Sequence, residues 1–210
     1  MASQGKTIRS VEDTELELLM DYNFFIHEFI PLPQSLLNTL RAWSSTLTFG
    51  STSGFRAYSG GDFWEVGGAN FGQHEPLLEY KDWLERNVFY KSIRIRAAEV
   101  NRLMPGASFS WHTDNRTKFV SSPVINQRHR VHCYLEGDAV KIGFKRNHYD
   151  EPTIKVASFG KPFLFNDYVW HNVFNIGKLP RVSLGMQVWD EDWSWKNWLY
   201  EKRGEPAGGY

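Results

Sequence analysis

The sequence predicts a mostly β domain, a double-sheet jelly roll with helices packed on one sheet. Three observations carry this. From residue 92 onward, apolar and polar residues alternate with a period of two in short runs broken by Gly, Pro, Asn and Asp. The clear helical periodicities all lie upstream of that point, apart from a short stretch at the C-terminal end. A row of eight short strands fits two stacked sheets, and amphipathic helices upstream can cover one of them.

Residues 1–12 are polar, and residues 14–30 mix helical and strand-like patterns. After Pro31 and Pro33, the spacing of Leu36, Leu37, Leu40 and Trp43 predicts a helix over 34–43 that Pro33 opens. Residues 49–73 hold seven glycines and read as loops with short strands. Leu77, Leu78, Tyr80, Trp83, Leu84, Val88 and Phe89 fall near one helical face behind Pro76, predicting a helix over 76–89. Strands are expected at 92–104, 107–113, 129–136, 139–146, 153–158, 162–166, 169–175 and 180–189, and a C-terminal helix at 192–202. We read 1–210 as one domain: a helical and loop part (1–91), a jelly-roll core (92–190), and a helix and tail (191–210).

Composition narrows the function classes. The chain has 24 basic and 24 acidic residues, which argues against a nucleic-acid binder held by bulk charge. Its one cysteine, Cys133, cannot form an internal disulfide, so the fold does not need an oxidising compartment. The N-terminus lacks the pattern of a secretory signal, and no run approaches the ~20 apolar residues of a membrane span. These features predict a soluble cytoplasmic protein with no membrane partner.

Strand phase gathers the polar residues. Residues two apart in a strand point to one side. Ser108, Ser110, His112 and Asp114 are therefore expected opposite Phe109 and Trp111. Arg130 and His132 oppose Val131, Cys133 and Leu135. His171 goes with Asn175, and Arg181, Ser183 and Gln187 oppose Val182, Leu184, Met186 and Val188. The pattern asks for a polar interior and an apolar outer face covered by helices. Such an interior is costly unless its groups are paired, hold a metal or meet water.

His112, Asp114 and His171 supply two imidazoles and one carboxylate, the ligand set of non-haem Fe(II) oxygenases. A second His-x-Asp, His148-Tyr149-Asp150, sits in Lys-Arg-Asn-His-Tyr-Asp-Glu-Pro and reads as a solvated hairpin turn. Arg181, ten residues after His171, can hold a carboxylate bidentately; an ordinary surface ion pair is its structural alternative. Arg130 and His132 together read as anion binders. Arg116, Lys118, Arg128 and His129 make the 115–130 loop basic, either as a substrate lip or as a solvated loop. Cys133, His27 and His74 read as structural.

Taken in order, Leu103-x-Pro105-Gly106 with His112, Arg130-Val131-His132, Phe165 to His171, and Pro180-Arg181-Val-Ser-Leu with Val188-Trp189 resemble the aspartyl/asparaginyl β-hydroxylase family of 2-oxoglutarate-dependent oxygenases, over roughly residues 92–190. The resemblance implies a double-stranded β-helix, Fe(II), 2-oxoglutarate and O₂. It implies His112 and His171 as iron ligands, Arg181 on the far carboxylate of 2-oxoglutarate, and Arg130, His132 and Asn101 at the co-substrate site. Asp114 is a departure, since some members carry Gly there, and the interval from His112 to Arg130 is longer than in the family. The expected activity is a 2-oxoglutarate-dependent dioxygenase that hydroxylates an aspartyl/asparaginyl-type or related substrate and releases succinate and CO₂. The alternatives are a hydroxylase of a small molecule or nucleobase, and a non-catalytic cupin-like binding module.

Overall fold

The period-two runs become strands, and two amphipathic helices cover them. The computed structural model describes residues 26–50, 59–67, 69–112, 128–138, 140–145, 149–165 and 170–189. Its elements are β1 (Ile26–Glu28), α1 (Gln34–Ser45), β2 (Ser59–Gly67), α2 (Glu75–Leu84), β3 (Arg94–Ser108), β4 (Arg128–Glu136), β5 (Val140–Lys145), β6 (Thr153–Lys155), β7 (Pro162–Phe165), β8 (Trp170–Asn175) and β9 (Arg181–Trp189). A 3₁₀ turn (Phe71–Gln73) precedes α2, and a π-helical turn (Glu85–Phe89) follows it. No helix among the described residues is long and apolar enough to cross a membrane.

The helices form where their apolar spacing places them. Pro33 precedes α1, and its carbonyl accepts the Leu37 amide at 3.0 Å. Pro76 lies in the first turn of α2, where a missing amide costs nothing. Leu36, Leu37 and Leu40 of α1 and Leu77, Tyr80 and Leu84 of α2 pack with Val131, Cys133, Leu184 and Met186 in one buried cluster. Burying each large side chain there stabilises the contact by about 1.5–3 kcal/mol.

All strand pairings are antiparallel, in the order β1-β7-β4-β9-β3-β8-β5-β6, with β2 added to β3. β3 pairs with β9 as far as Leu103↔Arg181 and with β8 at Ser108↔Phe174. β8 and β9 follow one another across a short turn, so the sheet folds over at β3 and its two halves face each other. Leu103, Tyr134 and Phe163 from one half meet Phe109, Ile142, Phe144 and Val173 from the other in a second buried cluster. This is the expected jelly roll, a double-stranded β-helix.

Three expectations change. The runs 92–104 and 107–113 are not separate strands: β3 continues through Pro105 and turns at Gly106, whose φ of 76° suits glycine, and the strand ends at Ser108. The glycine-rich 49–73 stretch contains a nine-residue strand, β2, which among the described residues joins the sheet through β3; its glycines lower strand propensity, but a long partner still pairs with them. The run at 153–158 shortens to Thr153–Lys155. The C-terminal helix at 192–202 lies outside the described residues.

At the end of the barrel where β8 turns into β9, Asn175 ties the halves together. Its Nδ2 donates to the Leu103 carbonyl at 2.8 Å and to the Leu179 carbonyl at 2.9 Å, and its Oδ1 accepts from the Gly177 amide at 3.1 Å. Asp138 accepts from the Lys178 amide at 2.8 Å. This closed end fixes how far each strand residue lies from the turn, and so which residues face one another.

Candidate active site

His112 and His171 are direct cross-strand partners. The His112 amide donates to the His171 carbonyl at 3.1 Å, and the His171 amide donates back at 2.9 Å. Their rings stand 4.3 Å apart, centroid to centroid. His171 is buried and pairs on its other side with Phe144 of the interior cluster. Directly opposed residues share a face, so both imidazoles point inward. The Nδ1 of His112 lies 2.6 Å from the Ser110 carbonyl. A carbonyl only accepts, so Nδ1 carries the hydrogen and Nε2 carries the lone pair that a metal needs.

The phase around this pair is not the simple alternation expected. Ser108 opposes Phe174, but His112 opposes His171, so one extra residue lies on the β3 side between them. Such a bulge shifts every later side chain by one face. Phe109 therefore points inward with Val173, whereas Trp111 lies on the outer face against Phe174 and over Gly143. The expectation that Phe109 and Trp111 share a side is wrong, and the bulge is the reason.

Asp114, the third expected ligand, lies outside the described residues, as does His148 of the second His-x-Asp. Tyr149 beside it is 93% exposed, which suits a solvated turn. Among the described residues, no group of three His, Cys, Asp or Glu comes together. Most of the basic 115–130 loop is also outside them.

Arg181 is 2% exposed and sits at the first position of β9, opposite Leu103. Its guanidinium lies 5.1 Å from the Phe109 ring and 5.4 Å from the Tyr134 ring. This is a buried cation in the interior, not the surface ion pair that is its alternative. Burial pushes the Tyr134 hydroxyl up to about 12, against the opposing pull of the Arg181 charge and its hydrogen bond. Tyr134 therefore stays protonated and can donate beside the guanidinium. It was not singled out from the sequence; its phase with Arg130 and His132 is the signal that could have found it.

The next row of the sheet is Asn101–Ser183–Tyr134, all buried. The Asn101 Nδ2 donates to Glu99 Oε1 at 3.4 Å, and its buried Oδ1 has no hydrogen-bond partner among the described residues. The row beyond is Glu99–Gly185–His132. Arg130 pairs with Glu99 at 3.2 Å, and His132 stacks on Phe163 at 5.6 Å. Glu99 escaped the sequence reading because a single Glu in an Ala-Ala-Glu-Val run shows no partner until the strand register is known.

The residues read as structural behave so. His27 packs edge-on against Phe29, and His74 lies against Trp43 and Trp64. Burial pushes the Cys133 thiol up to about 12, on the helix-covered face, where it is inert.

The chain matches no family model and no curated sequence. Solved structures do resemble it. HygX from Streptomyces hygroscopicus, with nickel and 2-oxoglutarate bound, superposes with a TM-score of 0.60 at 9% identity, over 85% of this chain and 88% of that one. The non-haem α-ketoglutarate-dependent carbocyclase SnoK from nogalamycin biosynthesis gives 0.57 at 11% identity, over 92% and 93%. A Pseudomonas putida prolyl-4-hydroxylase gives 0.54 at 14% identity, over 86% and 99%. The fold is that of the Fe(II)/2-oxoglutarate oxygenases. Within this fold, the inward-facing histidine pair suits a divalent metal: it offers two imidazoles on one ladder, one with its Nδ1 against a backbone carbonyl.

Proposed function

We propose that this chain is an Fe(II)- and 2-oxoglutarate-dependent oxygenase. The observation that carries the reading is the placement of His112 and His171 as inward-facing cross-strand partners in a barrel that also buries Arg181. A binding module of the same fold would need a pocket but has no use for a buried guanidinium on the strand after its histidine.

His112 and His171 would hold the iron through Nε2, with Asp114 as the third ligand. Bound iron with 2-oxoglutarate and O₂ would supply oxidative decarboxylation to succinate and CO₂, with one oxygen atom delivered to a substrate C–H bond. The chain's own part is positioning. Arg181 would fix the far carboxylate of 2-oxoglutarate, with the protonated Tyr134 hydroxyl and Ser183 beside it. Asn101, Arg130 and His132 would line the same wall. The apolar floor of Phe109, Phe163 and Val173 keeps water from the charged groups and so strengthens their hold on a dianion.

For the substrate, the ordered motifs from Leu103-x-Pro105-Gly106 to Pro180-Arg181 support an aspartyl/asparaginyl-type hydroxylase acting on a peptide side chain. A small-molecule substrate is the second reading, because a HygX structure also holds hygromycin B. The test is aerobic turnover: iron-dependent conversion of 2-oxoglutarate to succinate, followed by mass spectrometry for the gain of one oxygen atom across peptide and small-molecule candidates. No succinate formation with iron bound would overturn the reading.

A further inference from the structure

The histidine pair faces a charged group that the oxygenase reading does not use. Leu103 and Arg181 pair at the closed end, and Asn175 hydrogen-bonds to Leu103 there. Four residues up β3 from Leu103 is Glu99; four up β9 from Arg181 is Gly185; four back along β8 from Asn175 is His171. At about 3.3 Å per residue, all three lie roughly 13 Å from the closed end. Glu99 and Gly185 are paired partners, so their row stands across the barrel from His171 and its partner His112.

Glu99 is built into that row. It is 3% exposed, Arg130 pairs with it at 3.2 Å, and the Asn101 amide donates to the same oxygen. Gly185 makes the space: a Cβ there would stand 3.0 Å from Glu99 Cγ and 3.1 Å from Oε1. A side chain in place of that hydrogen would push the carboxylate off the wall.

The geometry points to Glu99 as a specificity-determining residue that sets the charge of the pocket. Its carboxylate offsets the Arg130 guanidinium on the wall facing the histidines. One anion is therefore held at Arg181, a second is kept out, and the substrate group that docks over Glu99, beside the co-substrate wall, is uncharged and hydrogen-bonding. This rests on the oxygenase reading for what sits at Arg181, but the charge balance itself does not. Replacing Glu99 by Gln raises the interior charge by one unit, whatever else Arg130 touches. Added positive charge in a partly desolvated site attracts anions strongly, by about tenfold or more in affinity.

The test uses the full chain with Fe(II) under anaerobic conditions and sulfate as probe, its affinity read by calorimetry and by the rise in melting temperature. Glu99→Gln is expected to bind sulfate about tenfold tighter than wild type or better, and the double variant Glu99→Gln/Arg130→Met to return to wild-type affinity. A purely structural role predicts the opposite sign, weaker binding by a loosened pocket. Unchanged or weaker sulfate binding by folded Glu99→Gln overturns the proposal. Should that variant fail to fold, Arg130→Met lowers the interior charge by one and is expected to weaken sulfate about tenfold; unchanged affinity overturns the proposal equally. The oxygenase reading stands or falls separately, on wild-type turnover of 2-oxoglutarate, which the sulfate comparison does not use.

Discussion

His112 and His171 exchange both backbone hydrogen bonds, at 3.1 and 2.9 Å, across a bridge that lies outside the regular strand β3. The backbone positions of the two imidazoles are thus fixed by the ladder itself. Either ring can be removed without breaking the bridge, because the bonds are main-chain.

His112→Ala and His171→Ala should therefore fold and lose iron. We expect tight Fe(II) binding to disappear in both, with the far-ultraviolet circular dichroism unchanged, as measured by metal analysis after anaerobic desalting. Retention of stoichiometric iron by both variants would remove the pair from the metal site.

Arg181→Met should spare iron and raise the 2-oxoglutarate requirement. Loss of one partner of a desolvated charge pair costs about 2–5 kcal/mol, so the concentration for half-maximal turnover should rise by roughly 30-fold or more. Tyr134→Phe removes only the neighbouring hydroxyl and should raise it by a smaller factor, of order tenfold. An unchanged requirement in Arg181→Met would take the guanidinium out of the co-substrate site.

Gly143→Ala should destabilise the chain through the outer face. A Cβ at Gly143 would meet the Trp111 ring at 2.8 Å and the Phe174 ring at 3.1 Å. Overpacking of this kind costs about 1–3 kcal/mol. Trp111 is adjacent to His112, so weaker iron binding should accompany the lower denaturant midpoint. A wild-type midpoint would show that Trp111 moves aside freely.

Stability should fall on the alkaline side. Burial raises the Cys133 thiol from 9.0 and the Tyr134 hydroxyl from 10.0, each to about 12. Between the unfolded and folded values, the unfolded chain has lost a proton that the folded chain keeps. It therefore binds fewer protons, and unfolding becomes easier as pH rises. The loss should begin near the unfolded thiol value at a slope approaching about 1.4 kcal/mol per pH unit, steepening once tyrosine joins. Cys133→Ala should flatten the first part of the curve in urea melts taken across this range; an identical pH profile would contradict the assignment to the thiol.

The residues show where the sequence was readable. In β9, and in β4 as far as Tyr134, the alternation is unbroken, so Arg130, His132, Arg181 and Ser183 go inward and Val131, Cys133, Leu184 and Met186 meet the helices as expected. Past Ser108 the alternation fails, because the extra residue before His112 is unmarked by any glycine or proline. The histidine assignment rested on ligand type as well as phase, and the metal content of His112→Ala and His171→Ala tests it. β2 was hidden by its glycines, which weaken strand propensity without preventing pairing along β3. Glu99 and Tyr134 acquire meaning only from register: one lies over Gly185, the other beside Arg181, and both neighbours are more than 45 residues away in the chain.

The most direct test of the central claim is the anaerobic visible spectrum of the wild-type chain with Fe(II) and 2-oxoglutarate. A weak metal-to-ligand charge-transfer band is expected that needs both additions, is absent from His112→Ala and His171→Ala, and requires more 2-oxoglutarate to appear in Arg181→Met. No band in wild-type protein shown to hold iron, at saturating 2-oxoglutarate, would contradict that claim.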